Sequence, residues 1–199
     1  ILFGHSMGSL AVRAFARDHD DCMDMLIICG SPSKNGARPL GEMIAHAESA
    51  VFGPAHKSHL IETLSFGSSV LRFRKDKTCT SWVCANPKAA QEYSDSELCG
   101  FTFTDDGYLA LFELMKRAYD VKHWHCTKPE MPVLFVSGSD DPCMKNVRCF
   151  AKAVRDMRHA GYRDVKGKLY PGMRHEILNE TDRKKVFHDL AFYIRKKGF

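Results

Sequence analysis

No stretch of this sequence comes near the roughly 18 consecutive apolar residues that a membrane-spanning helix needs, and the chain does not open with a charged segment followed by an apolar one. A soluble protein is therefore expected. Ile1 is not a methionine, and residues 1–3 already read as the middle of a strand, so any leader peptide would lie upstream. An excess of one charge sign is also missing: 29 Lys and Arg against 24 Asp and Glu leave a formal net charge of +5. The basic residues are scattered apart from short clusters at 183–185 and 195–197, which suit solvated helix faces and not a nucleic-acid partner.

No C-x-x-C pair occurs among the eight dispersed cysteines, and the chain is long enough to need no disulfide framework. Reduced thiols and a cytoplasmic location are the expectation. Cys79 with Cys84, and His123 and His125 with Cys126, come nearest to zinc-ligand spacing, but without a C-x-x-C pair they make a weak motif. Internal repeats and low-complexity segments are absent as well.

What remains is a chain of 199 residues, 44% of them hydrophobic, enough to bury one main core. Residues 1–3 are apolar and end at Gly4, and the apolar spacing from Gly8 to about Arg17 suits a helix, so the chain opens as strand, sharp turn, helix. Residues 25–29 (MLIIC) are a continuous apolar run closed by Gly30-Ser31-Pro32, the signature of a strand buried on both faces of a parallel sheet. Residues 133–137 (VLFVS), between Pro132 and Gly138, predict another strand, and 165–170 a fourth. Helical patterns cover about 146–160 and 181–196. This alternation implies a parallel sheet with crossover helices. Between about 37 and 127 the rhythm disappears into short helices and loops, and an insertion of that length between core strands is expected to cap a site.

Gly4-His5-Ser6-Met7-Gly8 fits G-x-S-x-G, in which a serine sits at the tip of a tight strand-to-helix turn and exposes its hydroxyl above the sheet. Glycines two residues to either side are expected on steric grounds. A serine hydroxyl is a weak nucleophile at neutral pH, so a base must take its proton and an acid must orient that base. Asp140 and Asp141 follow the strand at 133–137 directly, in a turn closed by Pro142. His175 follows the fourth strand and precedes the last helix, whereas His5 is read as packing around the turn. The backbone N–H of Met7, next after the serine, is the candidate donor to an oxyanion.

These residues resemble the α/β-hydrolases of the lysophospholipase and monoacylglycerol lipase group, also described as serine aminopeptidase-like hydrolases. GHSMGS is similar to the nucleophile turn of that group, LFVSGSDDPC to its acid loop and LYPGMRHEILNE to its histidine loop. The middle segment, with Thr80-Ser81-Trp82 and 93–101, is similar to its cap. The resemblance implies an α/β-hydrolase fold divided as core (1–36), helical cap (37–127) and core (128–199). It selects Asp141 over Asp140 and completes a Ser6, Asp141, His175 triad acting through an acyl-enzyme, with no metal or cofactor.

Members of the group carry further strands before the nucleophile turn, with a second oxyanion donor in one of their loops. The chain is thus expected to be N-terminally truncated, with a bare sheet edge. Lipid-like carboxylic esters, lysophospholipids or monoacylglycerols, are the expected substrates, with transient contact at a membrane surface. Apolar stretches at 60–61, 70–71 and 108–115 either line an acyl pocket or pack as ordinary helix faces. Aminopeptidase-like amide hydrolysis and an inactive binding module are the two alternatives.

Overall fold

The computed structural model describes residues 1–76 and 78–199. Four strands, β1 (Leu2–His5), β2 (Leu26–Cys29), β3 (Val133–Gly138) and β4 (Val165–Tyr170), pair in the order β1-β2-β3-β4, and every pairing is parallel. Side chains alternate across a strand, so a strand buried on both faces reads as one apolar run. In β2 and β3, Leu26, Ile28, Val133 and Phe135 enter one core, and Ile27, Cys29, Leu134 and Val136 enter the other. β1 runs one residue past Gly4, because His5 stays in register with Cys29. It forms one edge of the sheet, and Phe3 on it is exposed.

Helix α1 (Met7–His19) follows β1 directly, and the chain between β2 and β3 holds α2 (Arg38–Phe52), α3 (His59–Arg72), α4 (Pro87–Asp95) and α5 (Asp105–Ala118). The short helices here are begun by their caps: Ser58, Asn86 and Thr104 accept backbone N–H bonds from Ile61, Lys88 and Gly107. Helix α6 (Val147–His159) is the crossover from β3 to β4, and α7 (Arg183–Lys196) closes the second face.

Helix α5 packs on α1 and α2 and buries Tyr108, Phe112, Met115 and Ala118 in the first core. In the apolar stretch at 108–115, Tyr108, Phe112 and Met115 are therefore helix packing; burying a side chain such as Phe112 contributes about 1.5–3 kcal/mol. The same interface encloses Arg13 completely. Its guanidinium lies 4.2 Å from the Tyr119 ring centroid and donates to the Ala118 carbonyl at 2.9 Å, so aromatic faces and a helix end replace water around the charge.

Candidate active site

The C-terminal ends of parallel strands leave their loops on one edge of the sheet, where α/β folds place their chemistry. Ser6 stands there between β1 and α1 with φ 55°, a left-handed conformation that costs a non-glycine residue energy and persists only when its surroundings enforce it. Its N–H donates to the Cys29 carbonyl at 3.0 Å, and its carbonyl accepts the Ser9 N–H at 2.9 Å and the Ser9 hydroxyl at 2.5 Å. Gly4 is needed for this turn, since a Cβ there would lie 2.4 Å from the Gly8 carbonyl oxygen and 2.7 Å from Val12 Cγ2. Gly8 departs from expectation, because a Cβ at that position meets nothing within 4 Å. Met7 is the first residue of α1, where an amide has no intrahelical acceptor and the helix dipole favours negative charge.

Asp141 is fully enclosed beyond the end of β3. It accepts the Ser137 hydroxyl at 2.8 Å, the Cys143 amide at 2.8 Å and His175 Nδ1 at 3.1 Å. Asp140 turns the other way, half exposed, 3.7 Å from Arg72. The two carboxylates that compete in the sequence thus have different surroundings, and only Asp141 touches His175. Burial alone would raise the Asp141 carboxyl, but the charge and hydrogen bond of His175, with the Ser137 and Cys143 donors, bring it below the usual carboxylate value.

His175 is buried in the loop after β4. Burial disfavours its imidazolium, yet the adjacent Cys143 sulfur and the Asp141 carboxylate hold its pKa well above the usual imidazole value. The Cys143 thiol is itself pushed up by burial, against the opposing pull of His175. His5 shifts the opposite way, lowered by burial and by His175. Its ring lies 4.7 Å from that of His175, and its Nε2 is 3.1 Å from the His175 carbonyl oxygen. His5 therefore packs beneath the loop that carries the base. Among the described residues no hydrogen bond joins the Ser6 hydroxyl to His175; such contacts often tighten only around substrate.

Three supports of this site had no role assigned from the sequence. A Cβ on Gly138 would fall 2.0 Å from the Met173 carbonyl oxygen, so β3 and the histidine loop touch backbone to backbone. Glu180, buried at 3% exposure, accepts the backbone amides of Arg174 at 2.8 Å, Ala85 at 2.9 Å and Asn86 at 3.1 Å, tying that loop to the chain between α3 and α4. Trp82, on the tied segment, lies 5.5 Å from the His175 ring and stacks on Phe66 of α3. Glu180 lies in the stretch matched as a histidine loop, but a glutamate five residues past a histidine carries no pattern of its own.

An open cavity of about 650 Å³ beside α4, lined in part by Glu92, Tyr93, Glu176 and Asn179, adjoins the site without including Ser6, Asp141 or His175. Asp141, Cys143 and His175 each bring a potential metal-ligand atom within 4.8 Å of the others. Of the weak zinc spacings, the one at 123–126 has other partners among the described residues: His123 pairs with Asp120 at 2.8 Å, and His125 lies 3.7 Å from Asp18. All eight cysteines carry free thiols.

A protein-family model described as serine aminopeptidase, S33, matches residues 1–182. The chain belongs to this family. Its S33 membership agrees with its resemblance to solved structures, beginning with a highly thermostable carboxyl esterase from Bacillus coagulans solved with glycerol. That structure superposes with a TM-score of 0.86 at 22% identity over 98% of this chain and 63% of its own. A monoacylglycerol lipase from Paleococcus ferrophilus gives 0.71 at 16% identity, over 98% of this chain and 68% of that one. A soluble variant of monoglyceride lipase from Saccharomyces cerevisiae, in complex with a substrate analogue, gives 0.67 at 19%, over 98% and 64%. The S33 chain thus has the α/β-hydrolase fold and spans just under two thirds of the length of the first of these structures. No helix among its described residues is long and apolar enough to cross a membrane.

Proposed function

We propose that the chain carries the catalytic centre of a carboxylic ester hydrolase. Ser6 would attack the substrate carbonyl while His175 takes its proton, and Asp141 fixes the ring tautomer and stabilises the imidazolium. The Met7 amide supplies one oxyanion donor, His175 returns the proton to the leaving alcohol, and water releases the acid by the same route. The observation that supports this reading most is the enclosed Asp141–His175 pair on the same sheet edge as the strained Ser6 turn.

Segment 37–127 is read as the cap, rooted in the core through α5. A lipid-like acyl group is favoured because Leu60, Leu64 and Leu71 expose one apolar side of α3. That helix also carries Phe66, stacked on the Trp82 that lies against His175. The same leucines suit brief contact with a membrane surface. Amide hydrolysis at a peptide N-terminus is the second reading, favoured by Glu176 in the adjoining cavity, where it could meet an ammonium group, while Glu92 there already faces Lys88 at 3.9 Å.

Labelling with a fluorophosphonate, read by mass spectrometry in wild type and in Ser6→Ala and His175→Ala, tests the centre, followed by p-nitrophenyl esters against amino-acid p-nitroanilides. Modification of Ser6 that is lost in both variants is expected, with turnover of medium-chain esters. A folded chain that takes no label would sink the reading and leave a binding module.

A further inference from the structure

Asp105, the first residue of α5, is completely buried, and among the described residues its Oδ1 has no hydrogen-bond partner. The same is true of the enclosed Oε2 of Glu48, on the last turns of α2. His56 completes the group: its Nδ1 lies 3.2 Å from Asp105 Oδ2, and one ligand atom from each of Glu48, His56 and Asp105 lies within 4.8 Å of the others. One oxygen of each carboxylate is thus shut off from water without a donor, which is costly unless a cation or a shared proton accompanies them. No Lys or Arg ion pair reaches either of them among the described residues.

We propose that Glu48, His56 and Asp105 form a zinc site that fastens the end of α2 to the start of α5. One imidazole and two carboxylates suit a first-row divalent ion such as zinc and not calcium, which takes oxygen ligands. With metal–ligand bonds of about 2.0–2.1 Å, neighbouring ligands of a tetrahedron stand about 3.3 Å apart, close to the His56–Asp105 separation. The two carboxylates balance the ion's charge, and the half-exposed His56 leaves a path of entry and room for a water as fourth ligand. The backbone holds the parts in place without metal. The Asp105 amide donates to the His56 carbonyl at 2.8 Å, the Asp106 amide to Pro54 at 3.3 Å, and Lys57 bridges to Thr104. The site lies on cap elements and uses none of Ser6, Asp141 or His175.

Chelator-stripped wild type, Glu48→Gln, His56→Gln and, as a control, Cys143→Ser are titrated with zinc chloride by calorimetry and with cobalt chloride by visible absorption, alongside melting curves. About one equivalent of zinc is expected to bind, raising Tm by about 5–10 °C at a hundredfold excess over Kd. Tetrahedral cobalt bands should appear. Each cap variant should weaken binding at least ~10-fold while Cys143→Ser leaves it unchanged. Three results would overturn the proposal: no zinc binding by wild type, binding that survives both cap variants but is lost in Cys143→Ser, or a Glu48→Gln chain more stable than stripped wild type and equally insensitive to metal. The last would reveal a shared proton between the two carboxylates.

Discussion

Replacing Glu180 with alanine should destabilise the chain by about 3–4 kcal/mol, and replacing it with glutamine by about 1–2 kcal/mol. The carboxylate accepts three backbone amides, and a hydrogen bond to a charged group contributes about 1.5–3 kcal/mol. Ala85 is exposed, so water can replace the carboxylate at its amide, whereas the half-buried Arg174 and Asn86 amides would be left without a partner. Glutamine can keep the two bonds made to Oε1 but points an NH₂ at the Asn86 amide. For a chain of this size each kcal/mol moves Tm by about 2–4 °C, so melting by circular dichroism at pH 7 should show a drop of about 6–16 °C for alanine and 2–8 °C for glutamine. If the clamp also positions His175, fluorophosphonate labelling of Ser6 well below Tm should slow at least ~10-fold in the alanine variant and recover in the glutamine one. An alanine variant melting within about 2 °C of wild type would refute the clamp; one that melts early yet labels at the wild-type rate would refute the positioning role.

Gly8→Ala should be neutral or stabilising by up to about 1 kcal/mol, since its Cβ enters open space within a helix, while Gly4→Ala should abolish Ser6 labelling; a harmful Gly8→Ala would contradict the packing described. Gly138→Ala must displace the Met173 and Arg174 carbonyls, so labelling should be lost and Tm lowered, and wild-type behaviour would show that the histidine loop is free to move. The pH profile of labelling should rise with a midpoint above the usual imidazole value of 6.5, because His175 must be neutral to act as base and Asp141 holds its proton; a midpoint at or below 6.5 contradicts that placement of charge. Asp20, whose pKa burial would raise but whose bonds to Thr127, Lys128 and Tyr162 lower, stabilises the chain above its unfolded value near 3.8, and this is lost as pH falls through the folded value. Asp20→Asn should therefore melt earlier at pH 7 and lose less stability on acidification than wild type; parallel curves would refute this.

The sheet was legible because its central strands are apolar on both faces, and the Ser6 turn because glycine spacing and flanking elements agree. The choice between Asp140 and Asp141 depended on resemblance, since adjacent carboxylates in one turn differ only in what the fold sets around them. Glu180, Trp82 and Gly138 act through contacts between distant segments and leave no periodic trace. The stretch at 108–115 was ambiguous for a related reason: an apolar helix face looks the same whether a core or a ligand covers it.

The sheet also sets an order of assembly. β3 and β4 are joined by the single crossover helix α6, so the acid and histidine loops share a unit wired mostly through nearby residues. β2 must instead find β3 across roughly a hundred residues, at about 4 kcal/mol of loop-closure entropy. In pulsed hydrogen exchange, amides of β1, α1 and β2 and those of β3, α6 and β4 should therefore gain protection as two local units, and the β2–β3 ladder that brings the serine turn to the acid and histidine loops should form last.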